Sequence, residues 1–170
     1  RSLLERALRL NIPEKSLTFL SFELIKTLYK LSDYKSTLEN IYRLSTARFS
    51  IDDKNQLQFI KACSLIGIRK TEEGKSIFLQ LLSTVNDEKL KKKTLVELAY
   101  AEFDLNNIDE AEDYCKKLLD DQKLQYEEKE KCYNLLGIIE IQIRDNPEQA
   151  LKKFILAEES CLLNAQIDRT

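Results

Sequence analysis

Apolar positions along this chain recur with the period of an α-helix and are broken at regular intervals by short polar turns. Leu20, Leu24, Thr27 and Leu31 follow one another at 4,3,4 spacing, which marks one face of a helix and not a strand. Ser32 and Asp33 then break the pattern and can cap the next helix. The same alternation predicts helices over about 16–31, 34–47, 53–68, 71–85, 88–105, 108–122 and 126–143, with a last one starting at Pro147. Glu72 and Glu73 favour a helix N-terminus at Thr71. Asn106 and Asn107 tolerate the left-handed backbone of a helix end. Asn146 can cap a helix in which Pro147 takes the first position, and this last turn is one residue longer than the others.

These helices pair into units that repeat. Thr37, Gly74, Ala111 and Ala150 are small residues 37, 37 and 39 apart, as expected where two helices of one unit approach closely. Ile25, Ala62, Ala99 and Gly137 share the phase, as do Leu31, Ile68, Leu105 and Ile143. So do Leu24, Lys61, Leu98 and Leu136, with a break at Lys61. A further column, Leu4, Ile41, Phe78, Cys115 and Phe154, is followed three positions on by Ala7, Leu44, Leu81, Leu118 and Ala157. The expected organisation is helix pairs at about 16–50, 53–86, 88–122 and 126–163, without a domain boundary. Residues 1–12 form the second helix of a truncated pair and 164–170 start a further helix, so the chain reads as an excerpt from a longer protein. Ala111 should sit at the closest approach of its two helices, with Glu112 facing solvent.

Composition agrees with an all-α solenoid whose units bury their apolar faces against each other. Hydrophobic residues reach 43% and charged residues 33%, with only three Gly and two Pro, the balance of a soluble helical protein. A net charge of −2 leaves no electrostatic footprint for nucleic acid. No stretch approaches the roughly 18 apolar residues of a membrane span, and no signal peptide is visible. Cys63, Cys115, Cys132 and Cys161 match no zinc or redox spacing. They read as small buried hydrophobes in a reducing cytoplasm, although Cys115 and Cys132, on adjacent helices, could bridge.

Tyr133, Leu136, Gly137, Ala150, Phe154 and Ala157 in the fourth unit, and Leu95, Leu98, Ala99 and the run Asn107 to Ala111 in the third, make the chain resemble the tetratricopeptide repeat. The resemblance is fullest over 92–163. The period of 37 to 39 residues exceeds the family's usual 34 or so, Cys115 replaces an aromatic, Lys61 replaces a leucine, and the family's proline late in the second helix is missing. HEAT-like repeats are the alternative architecture. The resemblance implies a right-handed α-α superhelix that binds a protein or peptide in a concave groove lined by the first helix of each unit.

Catalytic chemistry has few candidates. The chain has no His, the commonest general base and metal ligand, and its three glycines are isolated within helices, so no phosphate-cradling loop arises. Neither an enzyme activity nor a cofactor or metal is expected. Lys89, Lys91, Lys92 and Lys93 open a helix, where the dipole disfavours cations; a solvated face is the plainer reading and an anion contact the other.

The face implied to be concave carries Phe19, Phe22, Lys26 and Tyr29 in the first unit and Gln56, Phe59, Cys63 and Ile66 in the second. Lys93, Val96, Tyr100 and Phe103 follow in the third, then Lys131, Asn134, Ile138 and Ile141 in the fourth. Of these, Phe19, Phe22, Lys26, Tyr29, Phe59, Ile66, Val96, Tyr100, Phe103, Asn134 and Ile138 are the candidate binding residues. Six of them are aromatic, which suits a groove for an amphipathic helix or extended peptide; the alternative is packing between adjacent units. The Lys and Asn clamp by which some family members hold a C-terminal carboxylate is absent, since Phe22, Lys26, Ile60, Lys93 and Glu97 stand in its places. The reading is a non-catalytic binding scaffold. Its rival, a peptide- or signal-sensing arm of a bacterial transcription regulator or signalling ATPase, would be distinguished by the flanking sequence.

Overall fold

A computed structural model describes residues 14–44 and 49–167; the expected helix over 1–12 and residues 168–170 lie outside them. The described residues form an all-α helical array with no strand: α1 (Glu14–Lys30), α2 (Tyr34–Arg43), α3 (Ile51–Gly67), α4 (Thr71–Thr84), α5 (Glu88–Asp104), α6 (Ile108–Leu119), α7 (Tyr126–Gln142) and α8 (Pro147–Ile167). The chain divides into two compact units, Arg1–Leu81 and Leu82–Thr170, although no boundary is visible in the sequence. Helix pairs of an array touch only their neighbours, so this division, which falls inside α4, needs no linker or change in composition. α8 also corrects the expectation of a new helix at 164: it runs unbroken to Ile167, because Ser160 to Gln166 contains neither Gly nor Pro to stop it.

Each pair is closed by the same backbone device. Ser32, Arg69, Asn106 and Asp145 have positive φ, at 57°, 66°, 64° and 51°, and lie 37, 37 and 39 residues apart, in step with the column of small residues. After each of the first three, the next N–H donates to a carbonyl five residues back: Asp33 to Leu28 at 3.0 Å, Lys70 to Leu65 at 2.9 Å, Asn107 to Glu102 at 2.9 Å. This is the bond that closes a helix C-terminus around a left-handed residue. In the longer fourth turn the bond reaches six residues back, from Asn146 to Glu140 at 2.9 Å. The new helix then starts at once. Asp33 Oδ1 accepts from Ser36 N–H at 3.1 Å and Asn146 Oδ1 from Gln149 N–H at 3.2 Å, satisfying first-turn donors. The long connections are capped as well: Ser50 Oγ accepts from Asp53 N–H at 3.1 Å, and for this reason α3 begins two residues before the expected 53.

The small residues sit where the helices of a pair meet. Thr37, Gly74, Ala111 and Ala150 are all buried. A Cβ added to Gly74 would lie 2.7 Å from Ile66 Cγ1 and 2.8 Å from the Ala62 carbonyl oxygen, so α3 and α4 touch nearly backbone to backbone. A Cβ on Gly137 would come within 2.6 Å of the Phe154 ring, which α8 lays across α7. Ile25, Ala62 and Ala99 are fully buried beside them. The column of Leu31, Ile68, Leu105 and Ile143 behaves differently, with Leu31 71% and Ile143 50% exposed. Leu31, Ile68 and Leu105 immediately precede the left-handed residue and Ile143 comes two before it, so all four leave the helix as it ends. Lys61, in the leucine column, holds its Nζ 5.2 Å above the Tyr42 ring.

Phe22, Ile25, Phe49, Leu57 and Ile60 form the core of the first unit. In the second, Val96, Ala99, Ala111, Cys115, Cys132, Leu135 and Ile139 are among the core residues. Beside that core, Glu112 corrects the sequence reading: it is only 4% exposed. Lys116 Nζ lies 2.7 Å from its Oε2, and the Arg144 guanidinium, from the turn after α7, pairs with its Oε1. The helical period alone assigned Glu112 to solvent, whereas the arginine that receives it lies in another helix pair.

Two stability outcomes follow. Ala111→Phe should cost at least the roughly 1–3 kcal/mol of overpacking, read from urea midpoints. Glu112→Ala and Arg144→Ala should each cost about 1–3 kcal/mol, because each breaks the ion pair at a buried carboxylate and leaves a charged group without its partner. A double-mutant cycle should show the two to be coupled; strictly additive losses would mean that the pair does not hold.

Candidate functional site

An open groove of about 640 Å³ lies on the first unit, lined by Thr18, Phe19, Phe22, Lys26, Phe49 and Gln56 together with Glu23 and Asp53. α1 supplies one wall through positions three and four apart, and the start of α3 supplies the other. The Phe22 and Phe49 rings meet at 5.8 Å between centroids, a tilted pair that forms a firm apolar floor. Lys26 extends over this floor, its Nζ 4.8 Å from the Phe22 centroid and 2.5 Å from Glu23 Oε1. Phe19 is 62% exposed, so a large rigid ring stands in water at the rim.

The remaining candidates of this unit are packing residues in part. Tyr29 is half-buried and pairs with Tyr34 at 6.4 Å. Phe59 is half-buried against the core and against Phe78, at 5.7 Å. Ile66 meets Gly74. None of these three lines the groove that holds Phe19, Phe22 and Lys26.

In the second unit the inner positions are tied together. Val96 is 1% exposed and belongs to the core, which removes it from the candidate binding residues: its side of α5 packs toward α6 and α7. Tyr100 and Phe103 are half-buried against the same core, and the Tyr100 hydroxyl donates to the Lys131 carbonyl oxygen at 3.0 Å. Burial pushes the Tyr100 phenol well above its ordinary value. Asn134 and Ile138 are half-buried on α7. Across the same two helices Lys93 pairs with Glu127 at 3.4 Å and Lys131 with Glu97 at 3.1 Å. The aromatic residues predicted here therefore serve largely as joints between α5 and α7.

No disulfide joins the cysteines. Cys63, Cys115 and Cys132 are buried and Cys161 is exposed, contrary to the uniform burial expected of them. Cys115 and Cys132 belong to the same core, and the neighbouring Cys132 thiol together with burial raises Cys115 far above the ordinary thiol range. Sequence reasoning missed the buried acids Glu102, Glu112 and Glu128, whose spacing resembles that of the surface carboxylates around them. Among the described residues no helix is long and apolar enough to cross a membrane.

No protein-family model matches this chain, and no curated protein matches it.

The joint at Tyr100 has a consequence at alkaline pH. With its folded-state value raised above the ordinary phenol value of 10.0, the phenol ionises first in the unfolded chain, so stability falls as pH climbs beyond about 10. Tyr100→Phe should remove its share of that decline and cost about 0.5–1.5 kcal/mol at neutral pH for the lost hydrogen bond. Denaturation midpoints at pH 7 and pH 10.5 test both effects.

Proposed function

We propose that this chain is a non-catalytic, tetratricopeptide-like scaffold that binds a protein or peptide segment through the groove between α1 and the start of α3. The observation that carries this reading is Phe19, a largely exposed ring at the rim of a groove floored by Phe22 and Phe49. Large aromatics lose little entropy on ordering and dominate binding energetics. The groove volume of about 640 Å³ falls within the roughly 300–1,000 Å³ typical of ligand sites. Its polar rim of Glu23, Lys26, Asp53 and Gln56 supplies both charges and an amide for orienting a backbone. A segment with an apolar anchor, helical or extended, fits that arrangement. The consecutive antiparallel pairs and their close approach at small residues support the family resemblance, and the absence of histidine from the sequence supports a binding role over a catalytic one.

Phe19 also gives a clean test, since its exposure separates binding from folding, whereas Phe22 is buried and its loss would disturb the core. Peptides enriched from a displayed random library should carry an aromatic or branched aliphatic anchor. Phe19→Ala should weaken them at least tenfold in calorimetric titration, about 1.4 kcal/mol, with an unchanged circular dichroism spectrum. Equal binding by the variant, or a library that yields no enriched peptide, would reject the groove.

A further inference from the structure

The lysine run at the start of α5 has a structural counterpart that peptide binding does not use. Lys91 is held by Glu88 at 2.7 Å, Lys92 by Asp121 at 2.5 Å, and Lys93 by Glu127. Lys89 is exposed and makes no ion pair among the described residues, and the same is true of Lys123 in the loop before α7. Both line a cavity of about 140 Å³ together with Glu88, Lys92, Gln125 and Glu128. The N-terminal turns of two 17-residue helices, α5 and α7, border this space.

Glu128 is the decisive residue. It is 2% exposed, and neither carboxylate oxygen has a hydrogen-bond partner. It occupies the first turn of α7, whose cap residue Gln125 makes no side-chain bond to the helix, so amides of that turn have no side-chain acceptor. A buried carboxylate without a donor is costly, and buried polar groups are ordinarily matched. Two unpaired ammonium groups and the N-terminus of α7, which no side chain caps, attract an anion, whereas the α5 end already holds the Asp87 carboxylate on the Lys89 N–H at 2.9 Å; the Glu128 carboxylate repels any anion that brings no proton.

One common anion meets both demands. Hydrogenphosphate carries oxygens for the ammonium groups and amides and a P–OH that can donate to a carboxylate; sulfate at neutral pH carries no such donor. We propose that the cavity between the N-terminal ends of α5 and α7 is a phosphate site in which Glu128 accepts the hydrogen bond of a protonated phosphate while Lys89 and Lys123 balance its charge. Free inorganic phosphate and the head of a phosphomonoester present the same group to these residues.

Calorimetric titration of the whole 170-residue chain with inorganic phosphate and with sulfate, at neutral pH and matched ionic strength, tests the site. Phosphate should bind at least about tenfold more tightly than sulfate, because only phosphate satisfies the buried acceptor. Glu128→Gln, whose amide can donate, should bring the two anions to similar affinity. Lys89→Ala combined with Lys123→Ala should weaken phosphate at least about tenfold, without reversing the preference. O-phosphoserine in a parallel titration separates the sources: tighter binding than inorganic phosphate assigns a phosphomonoester, weaker binding assigns the free ion. Equal affinity of the unaltered chain for phosphate and sulfate would mean an adventitious ion only, and absence of phosphate binding would equally overturn the proposal. Should Glu128→Gln fail to fold, the phosphate-to-sulfate ratio of the unaltered chain and the lysine variant decide the matter.

Discussion

The close approach of paired helices at a small residue is the constraint on which the array depends. Ala62, Gly74 and Ile66 show what it requires: with no side chain at Gly74, the Ala62 carbonyl and the Ile66 side chain occupy the space that a Cβ would need. That proximity fixes the separation of α3 and α4 and with it the depth to which flanking large residues can interlock. Phe78 fills the adjoining layer and is fully buried. Gly137 allows Phe154 to lie flat across α7 in the same manner. Bulk is traded between facing helices, so a small residue on one side is answered by a ring or a branched chain on the other.

Around this shared frame the two units treat their first helices differently. In the first, α1 and the start of α3 leave a groove whose floor is aromatic and whose rim is mixed in charge. In the second, ion pairs and the Tyr100 hydroxyl join α5 to α7. The same positions of the repeat thus become an open surface in one unit and a joint in the other, according to whether the facing helix supplies partners of matching charge.

This difference also marks what the sequence could reveal. Periodicity and in-phase columns were enough to place the helices and the buried Thr37, Ala111 and Ala150, because those features are local or recur at fixed intervals. Phe19, Phe22 and Lys26 were correctly read as sharing a face. Val96 and Tyr100 could not be separated from them, since a helical face is defined only up to the breadth of what packs on it, and the core shared with α7 takes in Val96 and Tyr100. Buried acids were the least visible. Glu112 owes its position to Arg144, thirty-two residues on, and no pattern within one helix announces such a pairing. The left-handed residues were legible at Asn106 but not at Ser32 or Arg69, whose side chains carry no preference for that conformation.

The turns themselves have a bearing on how the chain reaches this state. Their closing bonds span five or six residues, so the entropy lost in forming one is small. They also rely on nothing beyond the hairpin, in contrast to the charged ties between successive pairs. A chain assembled from such closures has low contact order and folds quickly from many starting points. Each hairpin can collapse before its neighbour exists, and a polypeptide emerging from the ribosome can bury its apolar faces one pair at a time instead of waiting for a distant partner strand.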